Sequence, residues 1–316
     1  MDDKQAVYGV DIAKATFTCA KYDSQGTTCV ANTTDAIGGW LGSLPPGSII
    51  AMEATGSYHK LLAIMAHAAG MRVYILNPHA LKHYARGIGL RAKTDPVDAH
   101  LIARYAMHER TKLVQWHPAA AELDKLSQLL QRRDRLVNGR KSLGQSLSGV
   151  PMLKAQRQSI LASLKRMIDN MELLMRVELA RTPELAHLHR RLTTIVGVGF
   201  VTACQLVSCL ARFQFKRVDS FIAYTGLDPR PADSGEKHGR RVLSKQGPRL
   251  LRQLLYTAAM SAAHSKLFKP TYAALLQRGF ETTEAIVILA RKIARIAFAL
   301  YRSGAVFDPQ KHVKMA

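Results

Sequence analysis

Acid is what this chain has little of. Its 316 residues carry 23 Asp and Glu against 45 Lys and Arg, a formal net charge of +22. That imbalance argues against a chain whose charges serve only to solvate its surface, and it points to a polyanionic partner, nucleic acid first. The excess is uneven. Residues 1–115 hold 12 basic and 9 acidic side chains, whereas residues 116–316 hold 33 and 14. A membrane surface fits less well, because the basic residues are not gathered on one amphipathic helix. Long apolar runs are missing too. No stretch approaches the length of a membrane span, and the opening MDDKQAVYGV lacks the pattern of a secretory leader. The expectation is a soluble, cytoplasmic protein with no membrane partner. Four cysteines, Cys19, Cys29, Cys204 and Cys209, form no CxxC pair, which leaves no disulfide framework and predicts buried thiols in a reducing compartment. The twelve histidines include no HExxH and no zinc-spaced Cys/His cluster. His79 and His83 are four apart, as a metal pair on a helix would be, but no third ligand stands near them. Repeats and low-complexity tracts are also absent.

Hydrophobic content of 47% is ample for real cores, and the length suits about two domains. Residues 6–11, 15–22 and 27–32 read as a meander of three strands, with DSQG (23–26) as a turn. A short helix over 35–43 ends before the Pro-Pro-Gly break at 45–47. SIIAMEA (48–54) reads as a compact strand, 57–70 as a helix closed by Gly70, and 72–77 as another strand before helical material from His79. This β-β-β-α-β-α-β-α order predicts a mixed α/β domain over 1–115. In residues 116–183, leucines from Leu123 to Leu143 recur at helical spacing among Arg and Lys, and a second run covers 160–180. Two long helices are expected there, as an antiparallel pair or an intermolecular coiled coil, with Pro151 at the turn. Residues 184–316 read as mainly helical, with three closing helices over 248–265, 269–278 and 282–303. Within them, TTIVGVGFVTACQLVSCL (193–210) has the pattern of a helix-hairpin-helix. Its turn at Gly197 and Gly199 either admits a phosphate to backbone N–H groups or simply lets two helices pack.

The few acids of the first domain fall at telling places. Asp11 ends the first strand and Glu53 ends the fourth, where a carboxylate is costly to bury alone. Asp95 and Asp98 open the helix of AKTDPVDAHLIARY. Asp95 as N-cap, Pro96 at the first helical position and Asp98 at the third would resemble a capping box, and both carboxylates suit the positive end of the helix dipole. Asp98 nevertheless lies one turn before Leu101 and Ile102 on the apolar stripe, so it leans toward the protein body. If the first and fourth strands are neighbours, Asp11 and Glu53 project near one another, and the helix beginning at Asp95 can pack beside that edge and bring all four acids together. Their repulsion is then relieved by hard divalent cations held through oxygen, Mg²⁺ first. In the second half, Ser234 sits in a loop, 224–247, rich in Gly, Pro, Lys and Arg. A serine before glycine is usually turn chemistry. Here Arg230, Lys237, Arg240, Arg241 and Lys245 surround it in sequence and suit phosphate neutralisation.

Taken together, YGVDIAK, AMEATGSY, NPHALKHYARG and LRAKTDPVDAHLIA resemble the DEDD transposases of insertion-sequence family one-hundred-ten. That group includes the Piv-type invertases and RNA-guided bridge recombinases. IVGVGFVTA and FIAYTGLDPRPADSGEKHGRRVLSKQGPRLLRQLLY resemble the family's C-terminal transposase domain. The resemblance implies a ribonuclease H fold of the RuvC-like branch for the first domain, with Asp11, Glu53, Asp95 and Asp98 as metal-binding catalytic acids. Lys14 and Thr55 match as supporting residues. It implies Mg²⁺, with Mn²⁺ as a substitute, and Ser234 as the nucleophile that joins covalently to DNA beside a partner subunit's acids. Double-stranded target and donor DNA, a structured guide RNA and a homo-oligomer, dimer or tetramer, are the implied partners, in the bacterial cytoplasm and at the nucleoid when active. The competing function is a RuvC-like junction nuclease that hydrolyses DNA with water alone. A non-catalytic nucleic-acid binder leaves the acidic quartet unexplained. An actin-like sugar kinase needs a glycine-rich hairpin after Asp11, and Ile12-Ala13-Lys14 does not supply one.

Overall fold

The computed structural model describes residues 5–312 apart from 55, 57, 91–93, 214 and 231–241, and it divides into two compact units, 1–118 and 119–316. The first unit is built on one five-stranded sheet. Strands β1 (Val7–Ile12), β2 (Thr16–Lys21) and β3 (Thr27–Ala31) form the meander, closed between β2 and β3 by Asp23 at a left-handed φ of 62°. Helix α1 (Thr34–Gly42), β4 (Ile49–Glu53), α2 (His59–Ala68), β5 (Arg72–Leu76), α3 (Pro78–Gly87) and α4 (Asp95–Glu109) come next along the chain. The strand order is β3-β2-β1-β4-β5, with β2 antiparallel to its neighbours and β1, β4 and β5 parallel. Parallel strands covered on both faces read as unbroken apolar runs, and Ile49 to Met52 is one.

Alternation along the strands sorts two cores. Val10, Ile12, Ile50 and Met52 face α1 and α2, packing on Ile37, Leu41 and Leu62. Val7, Ile49 and Ala51 face the other way, onto Ile102 and Ala106 of α4 and Leu81 of α3. Gly9 lies on this second face. A Cβ there would stand 2.2 Å from both the Ala103 nitrogen and the Ala99 oxygen, so the α4 backbone rests directly on β1. Only glycine permits that approach.

The second unit is helical. Helices α5 (Ala121–Ser146) and α6 (Lys154–Ala180) pack as an antiparallel hairpin within one chain, turned by a single 3₁₀ turn at Pro151–Leu153. The base of the hairpin is built into the rest of the unit. Leu123, Leu126, Leu130, Met175 and Leu179 share one core with α7 (Pro183–Thr193), α8 (Phe200–Leu210) and α9 (Val218–Thr225). At the same end, the buried carboxylate of Glu178 pairs with Lys125 and Arg181. Two short strands, β6 (Pro229–Arg230) and β7 (Val242–Leu243), pair antiparallel before α10 (Arg249–Ala263), α11 (Lys269–Gln277), α12 (Thr282–Ser303) and a last turn, α13 (Pro309–His312). Helix α12 runs through the centre of this core. A Glu281/Glu284 capping box starts it, and Gly304 in the left-handed region ends it. Among the described residues, no helix is long and apolar enough to cross a membrane.

Candidate active site and nucleic-acid interface

The sheet register places the first two acids. Gly9 stands opposite Ala51 and Val10 opposite Met52 in the parallel β1–β4 pair. One step further along, Asp11 and Glu53 occupy the C-terminal ends of these neighbouring strands. Side chains alternate, so Asp11 shares the face of Gly9, and Glu53 shares that of Ala51. This is the α4 face.

Helix α4 runs opposite to β1. Its last turn reaches the start of the strand, where His108 meets Tyr22 edge-on and the Tyr22 nitrogen donates to the Val7 oxygen. Its first turn is therefore carried toward the strand ends that bear Asp11 and Glu53. Asp95 is four residues before Ala99, and Asp98 four before Ile102, so both continue the sheet-facing row by one turn. Asp11, Glu53 and Asp98 are half-buried, and Asp95 is exposed. The cap differs from the sequence expectation. Thr94, with φ −146° and ψ 153°, is the N-cap, and Asp95 is already helical. The Asp98 nitrogen donates to the Thr94 oxygen at 2.8 Å, and the expected Asp95 capping box does not form. Two adjacent residues that both cap well left the choice open, and the helix took the earlier one.

Sequence reasoning missed a brace at this edge. Asn32, just past β3, donates through Nδ2 to the Ala13 oxygen at 3.2 Å and to the Tyr58 oxygen at 3.3 Å. It thereby ties the turn after Asp11 to the start of α2, which comes after Glu53. Lys14 is exposed in that same turn, and Thr55 lies outside the described residues. The donors at this edge are all carboxylate oxygens, the set a hard divalent cation takes. As the side chains stand, no three His, Cys, Asp or Glu among the described residues are gathered to hold an ion. His79 and His83 lie with ring centroids 5.8 Å apart, tilted by 34°, on the exposed side of α3.

In the second unit, Arg230 pairs with Val242 across β6–β7, so the two ends of the serine-bearing segment are held side by side. Ser234, Lys237, Arg240 and Arg241 lie outside the described residues. Below the strands, the Ser244 nitrogen donates to the Asp228 oxygen at 3.0 Å, and the Ser244 hydroxyl donates to the Asp228 carboxylate. Ser244 is thus a clasp residue. Arg230 and Lys245 are exposed, and Lys245 takes a left-handed φ of 53°. Arg252 donates to the Gly247 oxygen at 2.6 Å and fastens the far end.

The two glycines of the helical turn part ways. Gly197 has φ +90°, and a Cβ there would stand 2.3 Å from the Ala258 oxygen of α10. Its need for glycine is thus explained by backbone shape and packing. Gly199, the N-cap of α8, has φ −84° and nothing within 4 Å of a built Cβ.

A family model described as "Transposase", of the DEDD type, matches residues 8–151. A second, described as "Transposase IS116/IS110/IS902 family", matches residues 189–273. The chain belongs to this transposase family. It is 29% identical over 268 residues to a pilin gene-inverting protein of Moraxella bovis, covering 83% of this chain and 82% of that one. It is 27% identical to the transposase of insertion sequence element IS1111A of Coxiella burnetii, covering 95% and 92%. With the transposase of element IS1328 of Yersinia enterocolitica, identity is 26% over 95% and 98%. The activity is accordingly that of a DNA transposase or recombinase.

For a transposase the two matched segments carry separate equipment. The first holds the acid edge on β1, β4 and α4. The second holds the Gly197–Gly199 turn and the clasped β6–β7 pair. Asn32 and Asp228 fasten the backbone beside these two features. A lone Asn after a strand and a lone Asp after a leucine gave no signal in the sequence.

Proposed function

We propose that this transposase acts as a site-specific recombinase, cutting and rejoining DNA by phosphoryl transfer to Ser234. The observation that carries the reading is the acid edge. Asp11 and Glu53 end adjacent parallel strands, and Gly9 seats α4 on β1, which supports a convergence of the α4 first turn, with Asp95 and Asp98, toward them. The strand order and the late helix support a ribonuclease H fold of the RuvC-like branch. Asp11, Glu53, Asp95 and Asp98 would hold Mg²⁺, or Mn²⁺ in its place. A bound divalent ion supplies Lewis-acid stabilisation of phosphate oxygens and eases deprotonation of a nucleophile.

The chain's own groups do the rest. Arg230 and Lys245, with Lys237, Arg240 and Arg241, neutralise the phosphates around the attacked position. The Ser234 hydroxyl loses its proton and forms an Oγ–P bond. The bond from that phosphorus to one strand oxygen breaks, and this oxygen takes up a proton. Attack by a new strand hydroxyl reverses the step and frees the serine. The energy of the phosphodiester is kept throughout, as rejoining requires.

Homo-oligomeric assembly is part of this reading. Ile160, Met167 and Leu174 are exposed on α6 at intervals of seven, with Val177 beyond, a seam that hairpin packing leaves uncovered. The basic second unit suits a structured guide RNA as well as target and donor DNA.

The test is a denaturing gel of the enzyme with labelled target DNA, Mg²⁺ and RNA transcribed from the flanks of its gene. The expected result is a covalent protein–DNA adduct mapping to Ser234, lost in Ser234→Ala and in Asp98→Ala. Cleavage without an adduct would instead establish hydrolysis by water.

A further inference from the structure

The far end of the α5–α6 hairpin carries a groove that the acid edge and the serine segment do not use. Its volume is about 580 Å³, and Arg140, Lys141 and Arg157 line it together with Gln145 and Ser148. No acidic residue is among the lining groups. The bias extends beyond the groove: residues 135–168 contain seven Lys or Arg and no Asp or Glu.

The arginines are held rather than loose. Arg157 Nη2 donates to the Gly144 oxygen at 2.9 Å, and Arg140 Nε donates to the Leu161 oxygen at 3.3 Å, so each reaches from one helix to the other. Gly144 lies in the last turn of α5, and its helical donor, the Ser148 nitrogen, turns to the Gln145 oxygen instead. Arg157 thereby finds an acceptor for one nitrogen. Its Nε is buried with no hydrogen-bond partner among the described residues. Packing and the hydrogen bond to Gly144 thus fix the Arg157 charge at the groove, where an anionic oxygen is favoured over a neutral one. A fixed guanidinium fork, a second arginine and a lysine make a receptor for phosphodiester oxygens.

We propose that this groove is a backbone-binding site for nucleic acid. It grips phosphates without taking part in the reaction and so fixes the register of a bound strand. The proposal rests on nucleic-acid binding by this transposase and is independent of the serine and of the four acids. Phosphodiester is the recognised chemistry, and either duplex DNA or a structured RNA can present it.

The experiment measures binding without cleavage. Fluorescence anisotropy in EDTA tracks the full chain on a thirty-base-pair duplex DNA and on a stem-loop RNA, over a series of salt concentrations. Arg140→Gln/Arg157→Gln is expected to raise Kd about tenfold near 150 mM salt. On duplex DNA its salt slope should fall by about 1.8, because each lost phosphate contact removes about 0.9. Lys141→Gln, on an exposed position, should lower the slope by about 0.9 and serves where the double variant weakens the hairpin. Loss on the duplex alone assigns the groove to DNA, loss on the stem-loop alone assigns it to RNA, and loss on both assigns it to either strand. Unchanged Kd and slope on both probes, in both variants, overturns the proposal. A failed adduct assay leaves these measurements untouched, so the two readings stand or fall separately.

Discussion

Gly9 and Ala103 meet backbone to backbone: a Cβ on the glycine would lie 2.2 Å from the alanine nitrogen. This contact sets the height of α4 above the sheet and, with it, the reach of Asp95 and Asp98 toward Asp11 and Glu53. Gly9→Ala must push the helix away. The expected loss of stability is about 2–3 kcal/mol, as for overpacking in a tight core. Thermal unfolding measures it. Cleavage should fall further than stability explains, because the acids on α4 move with the helix. A variant with wild-type Tm and activity would refute the contact's role.

Asn32 braces the same edge from outside, through two carbonyls that belong to different loops. Asn32→Ala leaves both acceptors to water and should cost about 1–2 kcal/mol. DNA affinity in EDTA should stay the same, since Asn32 carries no charge. The cleavage rate in Mg²⁺ should fall several-fold, as single-turnover kinetics would reveal. Equal losses in affinity and rate would point to a general folding defect.

Gly197 and Gly199 stand two residues apart and should respond differently. Gly197→Ala forces a left-handed φ on alanine and drives its methyl into α10, so the second unit should lose several degrees of Tm. Gly199→Ala meets open space at an ordinary φ and should fold normally. Any loss of DNA affinity in Gly199→Ala would then mark the α8 N-terminus as a contact. Matching melting curves for the two variants would contradict the packing account.

The Ser244 hydroxyl donates to the Asp228 carboxylate and clasps the base of the serine-bearing segment. Ser244→Ala should still form the covalent adduct, at a lower rate because the base of the serine-bearing segment is looser. Asp228→Asn should behave similarly, and both should lose about 1 kcal/mol of stability. Peptide mapping of the adduct is the readout. A Ser244→Ala protein with no adduct and an intact fold would move the nucleophile to Ser244.

His189 gives the second unit a pH signature. Burial lowers its pKa from the usual 6.5, its ring bonds the Phe200 oxygen, and Arg176 and Arg190 add like charge. The folded state thus favours neutral imidazole. Its contribution is present above about pH 6.5 and is lost as the pH falls from there through the lowered folded value. His189→Phe keeps a ring against Phe200 and cannot titrate. Between pH 7.5 and roughly 5, wild type should therefore lose more Tm than the variant does. Parallel losses would mean that His189 is not the responsible group.

Much of this architecture was legible because its signals are local. The short apolar-rich runs VYGVDI and IIAM marked two strands, and the structure covers both on both faces. The closing helices fell within a residue or two of their apolar periodicity. What stayed hidden depends on distant partners. Nothing around Gly9 says that a helix ninety residues later will lie on it. The carbonyls that Asn32 holds are 19 and 26 residues away. Gly197 reads in sequence as a phosphate turn or a packing turn alike, and the α10 backbone that fills the space beside it is far along the chain. The first-turn acids of α4 were visible, but the position of the cap was not, since Thr94 and Asp95 are chemically near-equal starts.

The pairing of Arg230 with Val242 makes the serine-bearing segment a cassette. Its two junctions are neighbours on a short ladder clasped beneath by Asp228 and Ser244. Loop-closure entropy changes slowly with length. Segments of different length and charge, taken from relatives in the family, are therefore expected to be accepted at these two points. If Ser234 is the nucleophile, such exchanges should carry strand preference with them, and adduct assays on the chimaeras would read it.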